Sequence, residues 1–203
     1  METCPDRTTA EKTLCVKLGS FTLACALSLS AMACESATPE RAVAASADTN
    51  VVTPKITWPA ATKVDARAAA ALGDAKRANE LLGRSPVPVL APTNVTFERP
   101  TFVVGSEYYA LTGRVAGTTI SIQGTRAAHR YDDVAPVRGD RAIRETQGFV
   151  STNEGIRTAS WIENGVAYSV DVECADPTDA RCTNEAFALD VIEHLAFAGG
   201  GSR

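Results

Sequence analysis

The chain has 203 residues and a formal net charge of −4, with an isoelectric point near 5.3, which fits one domain with extensions and excludes a basic surface for nucleic-acid phosphates. Hydrophobic residues make up 45% of the chain and mean hydropathy is −0.05, enough apolar surface for a core and too much for disorder throughout. Much of that content sits at the front. Leu18–Ala33 carries no charge and follows Arg7, Lys12 and Lys17, the order of regions in a secretory signal peptide. The run falls short of the roughly 20 residues of a membrane-spanning helix, so a retained anchor is the alternative.

The run ends Ser30-Ala31-Met32-Ala33-Cys34. A small residue followed by cysteine resembles the lipobox of bacterial lipoproteins, with Ala31 where leucine is usual and Met32 a departure from the pattern. The resemblance covers residues 1–34. It implies cleavage after Ala33 and acylation, with palmitate among the expected chains, of a new N-terminal Cys34. It further implies a chain anchored to a membrane of the cell envelope and facing the periplasm or exterior. A secreted protein with Cys34 as a spare thiol is the other reading, and both place the mature chain outside the cytosol.

Residues 34–61 are rich in Ala, Ser, Thr and Pro without periodicity, the composition of a flexible tether. The expected organisation is a signal peptide over 1–33, a tether over 34–61 and one globular domain over 62–203. From Thr62 to Leu82 the period changes to that of a helix: Thr62 and Asp65 have the spacing of a capping box and Gly83 supplies a stop. Val64, Ala68, Ala71, Ala75, Ala78 and Leu82 form its apolar stripe.

Beyond the "GRSPVPVLAPTN" stretch the period becomes two. Phe102 and Val104, Tyr109 and Leu111, and Ile120 and Ile122 alternate with more polar neighbours between glycines, as in short antiparallel strands. Arg126–Glu145 is charged and irregular, a surface connection long enough to carry function. The alternating runs on either side of Asn164-Gly165 carry the strongest short hairpin signal. The second places Val166, Tyr168, Val170, Val172 and Cys174 on one side and Ala167, Ser169, Asp171 and Glu173 on the other.

After removal of Cys4, Cys15 and Cys25 with the signal, and with Cys34 the lipidation candidate, Cys174 and Cys182 remain. In an oxidising compartment they are expected to bond to each other and to clip a strand to a helix. Calcium is the competing reading of the acidic segment Asp171, Glu173, Asp176, Asp179 and Glu185, but the loop lacks the spacing and glycine of an EF-hand. A redox pair would want a CxxC and a cationic neighbour, and only Arg181 is near. Thr183 or Asn184 then caps a helix through Ala198, with Phe187, Ala188, Val191, Ile192, Leu195 and Ala198 as its stripe. Strands in a run with a helix at each end predict an α+β domain: an antiparallel sheet of about five to seven short strands with an N-terminal and a C-terminal helix packed on it. A β-sandwich is the competitor, disfavoured because each stripe needs a surface.

The chemistry is sparse. The only histidines are His129 and His194; His194 sits where a helix C-terminus favours positive charge. Neither Ser106 nor Ser202 lies in a GxSxG turn, and HExxH, Walker A and GxGxxG are absent. Asp171 and Glu173 share a side, as alternation on a solvated strand face also dictates. The RGD at Arg138–Asp140 and the NVT at Asn94–Thr96 are short enough to arise by chance. No catalytic residue, metal ligand, cofactor or nucleic-acid partner is assigned. The candidate binding surface is Tyr108, Tyr109, Arg126, His129, Arg130 and Tyr131, residue types enriched at interfaces.

The expectation is an envelope lipoprotein with a non-catalytic binding or accessory domain and a possible envelope protein partner. An envelope hydrolase or transferase using His129 and nearby acids is the alternative. A further one is a periplasmic regulatory sensor module, since Trp161–Val170, "WIENGVAYSV", resembles hairpins in the periplasmic domains of anti-sigma regulators.

Overall fold

Alternation at period two marks most strands between Glu98 and Cys174, and in the structure, a computed structural model, seven of them form one sheet. The described residues are 50–52, 55–130, 135 and 137–201. The signal peptide, Cys34, most of the tether and Tyr131 lie outside them. The strands are β1 (Asn50–Val52), β2 (Val89–Pro92), β3 (Glu98–Val104), β4 (Tyr108–Val115), β5 (Thr118–Thr125), β6 (Ala128–Arg130), β7 (Arg141–Ile143), β8 (Thr146–Asn153), β9 (Ile156–Glu163), β10 (Val166–Cys174) and β11 (Leu195–Gly199). The helices are a 3-10 turn at Ala61–Lys63, then α1 (Ala66–Ala70), α2 (Ala75–Leu82), α3 (Ala180–Thr183) and α4 (Ala186–Glu193).

Seven strands pair antiparallel in the order β3-β4-β5-β10-β9-β8-β7. Two meanders, β3 to β5 and β7 to β10, thus meet at the β5–β10 ladder. Four of their five hairpins turn on pairs of residues with positive φ, Ala116-Gly117, Arg144-Glu145, Glu154-Gly155 and Asn164-Gly165, as two-residue turns between right-twisted strands require.

One face of the sheet is the core. Tyr109, Leu111, Ile120, Ile122, Ala159, Val166, Val170 and Val172 on it are wholly buried, in one cluster with Ala68 and Leu72, Ala78 and Leu82 of α2, and Ala188, Val191 and Ile192 of α4. A transverse row runs Tyr109, Gly124, Tyr168, Trp161, Gly148 across β4, β5, β10, β9 and β8. Trp161 stacks on Tyr168 with ring centroids 5.6 Å apart, and Phe102 meets Tyr109 edge-on at 6.2 Å.

Two predicted helices differ from the structure. The first breaks at Gly73, whose φ is 95°, where Pro100 of β3 lies against the corner. Asp65 caps α1, accepting from Arg67 N at 2.7 Å and Ala68 N at 3.0 Å, and Asp74 caps α2, accepting from Arg77 N at 2.8 Å. A second capping carboxylate restarts the helix after the break. Thr62 lies in the 3-10 turn and not in a capping box. The second helix stops at Glu193, and Leu195–Gly199 leaves as strand β11, pairing antiparallel with β2 through Leu195↔Pro92 and Phe197↔Leu90. All four β2 residues are buried, so their backbone groups need partners, which β11 and, at Leu90, the Tyr109 hydroxyl supply. The predicted connection Arg126–Glu145 includes β6, paired with β1, and β7, paired with β8.

Residues 55–61, read as the end of the tether, lie against the domain. Thr57 N donates to Asn164 O at 2.9 Å, Ile56 packs on the core, and a Cβ at Gly200 would sit 3.3 Å from the Trp58 ring.

Cys174 and Cys182 are joined in a disulfide, with Cα atoms 6.1 Å apart. It ties the end of β10 to α3. Arg157 reinforces the link by donating to Cys182 O from Nε and Nη2, both at 3.2 Å, and to Thr183 O at 3.1 Å. Closing so short a loop stabilises by about 2–3 kcal/mol in the chain-entropy account. The Cys174→Ser/Cys182→Ser double variant is therefore expected to lower the urea-unfolding free energy by about that amount without changing the far-ultraviolet circular dichroism.

Candidate functional site: the outer face of the sheet

The same alternation that builds the core pushes the complementary residues to the other face, and none of these is buried. One transverse row reads Tyr108, Thr125, Ala167, Ile162 across β4, β5, β10 and β9. The next reads Val103, Ala110, Gln123, Ser169, Ser160, Phe149 from β3 to β8. Val103, Tyr108, Phe149 and Ile162 are exposed, Ile162 to 64%. They form two apolar pads, Val103 with Tyr108 and Phe149 with Ile162, separated by small and polar side chains of the central strands. Tyr108 and Ile162 stand three strand spacings apart, about 14 Å.

Beside the second pad, the segment 137–139 rises as a wall. Val137, 76% exposed, and Arg138 border a hollow of about 420 Å³ whose floor includes Gln147, Phe149, Ser160, Ile162 and Ala167. Gly139 makes the close approach possible, since a Cβ there would sit 2.5 Å from Gly148 N. A mostly apolar hollow with one guanidinium at its rim suits an apolar group next to an anionic one.

The sequence-predicted surface is divided by the structure. Tyr108 is exposed, its ring lying over Gly105. Arg126 lies at the same end of the sheet, its Nε facing Glu107 Oε2 at 2.7 Å. Tyr109, by contrast, is wholly buried and is no part of any surface. Its hydroxyl donates to Leu90 O at 3.0 Å and accepts from Leu90 N at 3.1 Å. Tyr168 likewise donates to Pro88 O at 2.9 Å. Burial pushes both phenol pKa values up, outweighing the Leu90 bond at Tyr109, so both hydroxyls stay neutral donors. His129 and Arg130 are placed by backbone alone, opposite Val51 and Asn50 in the β1–β6 ladder. Tyr131 lies outside the described residues.

Other titratable groups have local work. His194 ends α4, its Nδ1 2.8 Å from Asp190 O and 3.3 Å from Asp190 Oδ1. Asp171 accepts from Thr158 Oγ1 at 2.7 Å, while Glu173 stays exposed. In the acidic loop, Asp176 accepts from Thr178 N and Oγ1. Asp179 caps α3 and pairs with Arg181, whose side chain holds that carboxyl down at about 2. Arg181 also reaches Ala116 O at 3.0 Å and lies over the Phe187 ring. Among the described residues no group of three or more His, Cys, Asp or Glu side chains is placed to hold a metal ion.

Sequence reasoning missed Phe149 and Ile162. The available signal was Gly148 and Trp161: each glycine or aromatic of the inner row sends its chain neighbour outward. No protein-family model, curated protein or solved structure matches the chain.

Proposed function

We propose that this chain is a lipid-anchored protein of the bacterial cell envelope, attached through Cys34, whose α+β domain binds an envelope protein without catalysing a reaction. The terminal helices close the inner face of the sheet in this reading, leaving the outer face for recognition. One observation carries it: a seven-stranded sheet whose inner side holds the core presents Val103, Tyr108, Phe149 and Ile162 to solvent on its outer side. Exposed apolar groups gathered on one face mark interaction surfaces, whereas scattered ones need no explanation. The apolar leader, its closing Cys34 and the two remaining cysteines joined at the end of β10 support an oxidising location.

Two measurements test the two halves. Metabolic labelling with palmitate should mark the wild-type chain and fail to mark Cys34→Ser; equal labelling would remove the anchor. For the face, Ile162→Lys should abolish capture of the partner that wild type recovers from solubilised membranes, since a buried charge in an apolar contact is unmatched. Capture indifferent to Ile162→Lys and Phe149→Ser would remove the outer face from recognition. Deleting 126–145 is the poorer probe, because it removes β7 and Arg144, which hold the core side together.

A further inference from the structure

The exposed apolar residues of the outer face are placed symmetrically about the middle of the sheet. In the order β3-β4-β5-β10-β9-β8 the centre is the β5–β10 ladder. Tyr108 on β4 and Ile162 on β9 stand one strand outside it, at one height. Val103 on β3 and Phe149 on β8 stand two strands outside it, at the next height. A twofold axis laid along that ladder, above the face, exchanges the two sides and leaves height unchanged. It therefore sets Tyr108 over the Ile162 of a second copy and Val103 over its Phe149. Aligned sheets pack at about 30° to each other, which shifts facing positions by about 4 Å at β4 and β9 and about 6 Å at β3 and β8, within side-chain reach. An axis across the strands gives no such match. At the height of either apolar row, or between the two, it sets one row or both against small or polar side chains or beyond the end of the sheet.

Charge and shape follow the same axis. Arg114 on β4 and Glu173 on β10 share a row with Thr119 between them, so the Glu173 of a second copy comes over Thr119, one strand spacing from Arg114. Each Glu173 thus gains an Arg114 as it nears the other Glu173. Asp171 is drawn away from the axis by the bond it accepts from Thr158 Oγ1 at 2.7 Å, and it faces the other copy's Ser121. The hollow bordered by Val137 and Arg138 has Ile162 on its floor, so it takes the ring of the second copy's Tyr108 with the guanidinium beside it.

We propose that the outer face is a homodimer interface, with two copies packed face to face about an axis along the β5–β10 ladder. This rests on the reading of that face as the recognition surface of an anchored protein and names its partner as a second copy of this chain. The point of entry of the chain agrees. β1 pairs with β6, which begins three residues past the end of β5, and Thr57 N donates to Asn164 O in the β9–β10 turn. The tether therefore joins the domain at the end of the sheet that carries Tyr108 and Ile162. An axis along the strands keeps both junctions at that end, so two tethers, each running sixteen residues from Cys34 to Asn50, reach one bilayer. Six strands by four rows span about 24 Å by about 20 Å. Over two copies that is about 1,000 Å² in plan, the size at which specific interfaces begin.

The test uses the full chain in native membranes and in detergent. Ser169→Cys lies beside the axis and should be joined to its counterpart by bismaleimidoethane in membranes. Ser151→Cys, two strands farther out, and wild type should not. In sedimentation the solubilised chain should be a dimer and Ile162→Lys a monomer with unchanged circular dichroism. Arg114→Glu should raise the dimer dissociation constant at least about fivefold, and Arg114→Glu combined with Glu173→Arg should restore it, since the swap keeps opposite charges facing. A monomer at every concentration measured, no crosslink at Ser169→Cys, or a dimer indifferent to Ile162→Lys would overturn the proposal. If the monomer captures a different membrane protein and Ile162→Lys loses it, the second copy alone falls and the outer-face reading stands. If Ile162→Lys changes neither mass nor capture, both fall.

Discussion

Arg144→Met is expected to lower the unfolding free energy by about 3–5 kcal/mol, the cost of leaving a buried charge without its partner. Arg144 sits in a two-residue turn with no glycine, at φ 47° beside Glu145 at 64°, a conformation unfavourable for side-chain-bearing residues. What holds it is a network. Nε meets Glu163 Oε2 at 2.7 Å, and Nη1 donates to Leu195 O at 2.8 Å and to Ile192 O at 3.2 Å, carbonyls at and just past the end of α4. Trp161 Nε1 adds a bond to the same carboxylate at 3.1 Å. Both side chains are only about one-fifth exposed, at 19% and 20%. Removing the guanidinium deprives the Glu163 carboxylate and two backbone carbonyls at once. Urea titrations of Arg144→Met, Glu163→Gln and the double variant check this: the double should lose less than the sum of the singles. A loss under about 1 kcal/mol in Arg144→Met would rank the pair with solvent-screened surface bridges.

Gly124→Ala is expected to cost about 3 kcal/mol, the upper end of ordinary overpacking. Its Cβ would lie 2.5 Å from Tyr109 Cε1 and 2.8 Å from Tyr168 Cε1. Neither ring can retreat freely, because Leu90 and Pro88 hold their hydroxyls. Freeing one ring should recover part of the loss, so Gly124→Ala with Tyr168→Phe is expected to melt above the temperature predicted from adding the two single effects. Strict additivity would show that the hydroxyls do not pin the rings.

The β9–β10 hairpin was legible because Asn164-Gly165 fixes the turn and alternation fixes the faces, both local in sequence. The Cys174–Cys182 bond was legible by elimination of the other cysteines. The β2–β11 pair was not, since its partners stand about a hundred residues apart and Leu195-Ala196-Phe197-Ala198 continues a helical stripe as plausibly as it starts a strand. Asp74 looked like one more surface charge in a helix, while its cap at Arg77 N makes sense only once Pro100 is seen against Gly73. Tyr108 and Tyr109 looked alike by residue type. Alternation with Leu111 already sent Tyr109 inward, and the partner that makes its burial tolerable is the backbone of Leu90, nineteen residues earlier.

The strand pair β2 and β11 joins the residues just before the great sheet to those just after it. On the ribosome, Val89–Pro92 therefore waits without its hydrogen-bonded mate until Leu195–Gly199, about a hundred residues later, has emerged.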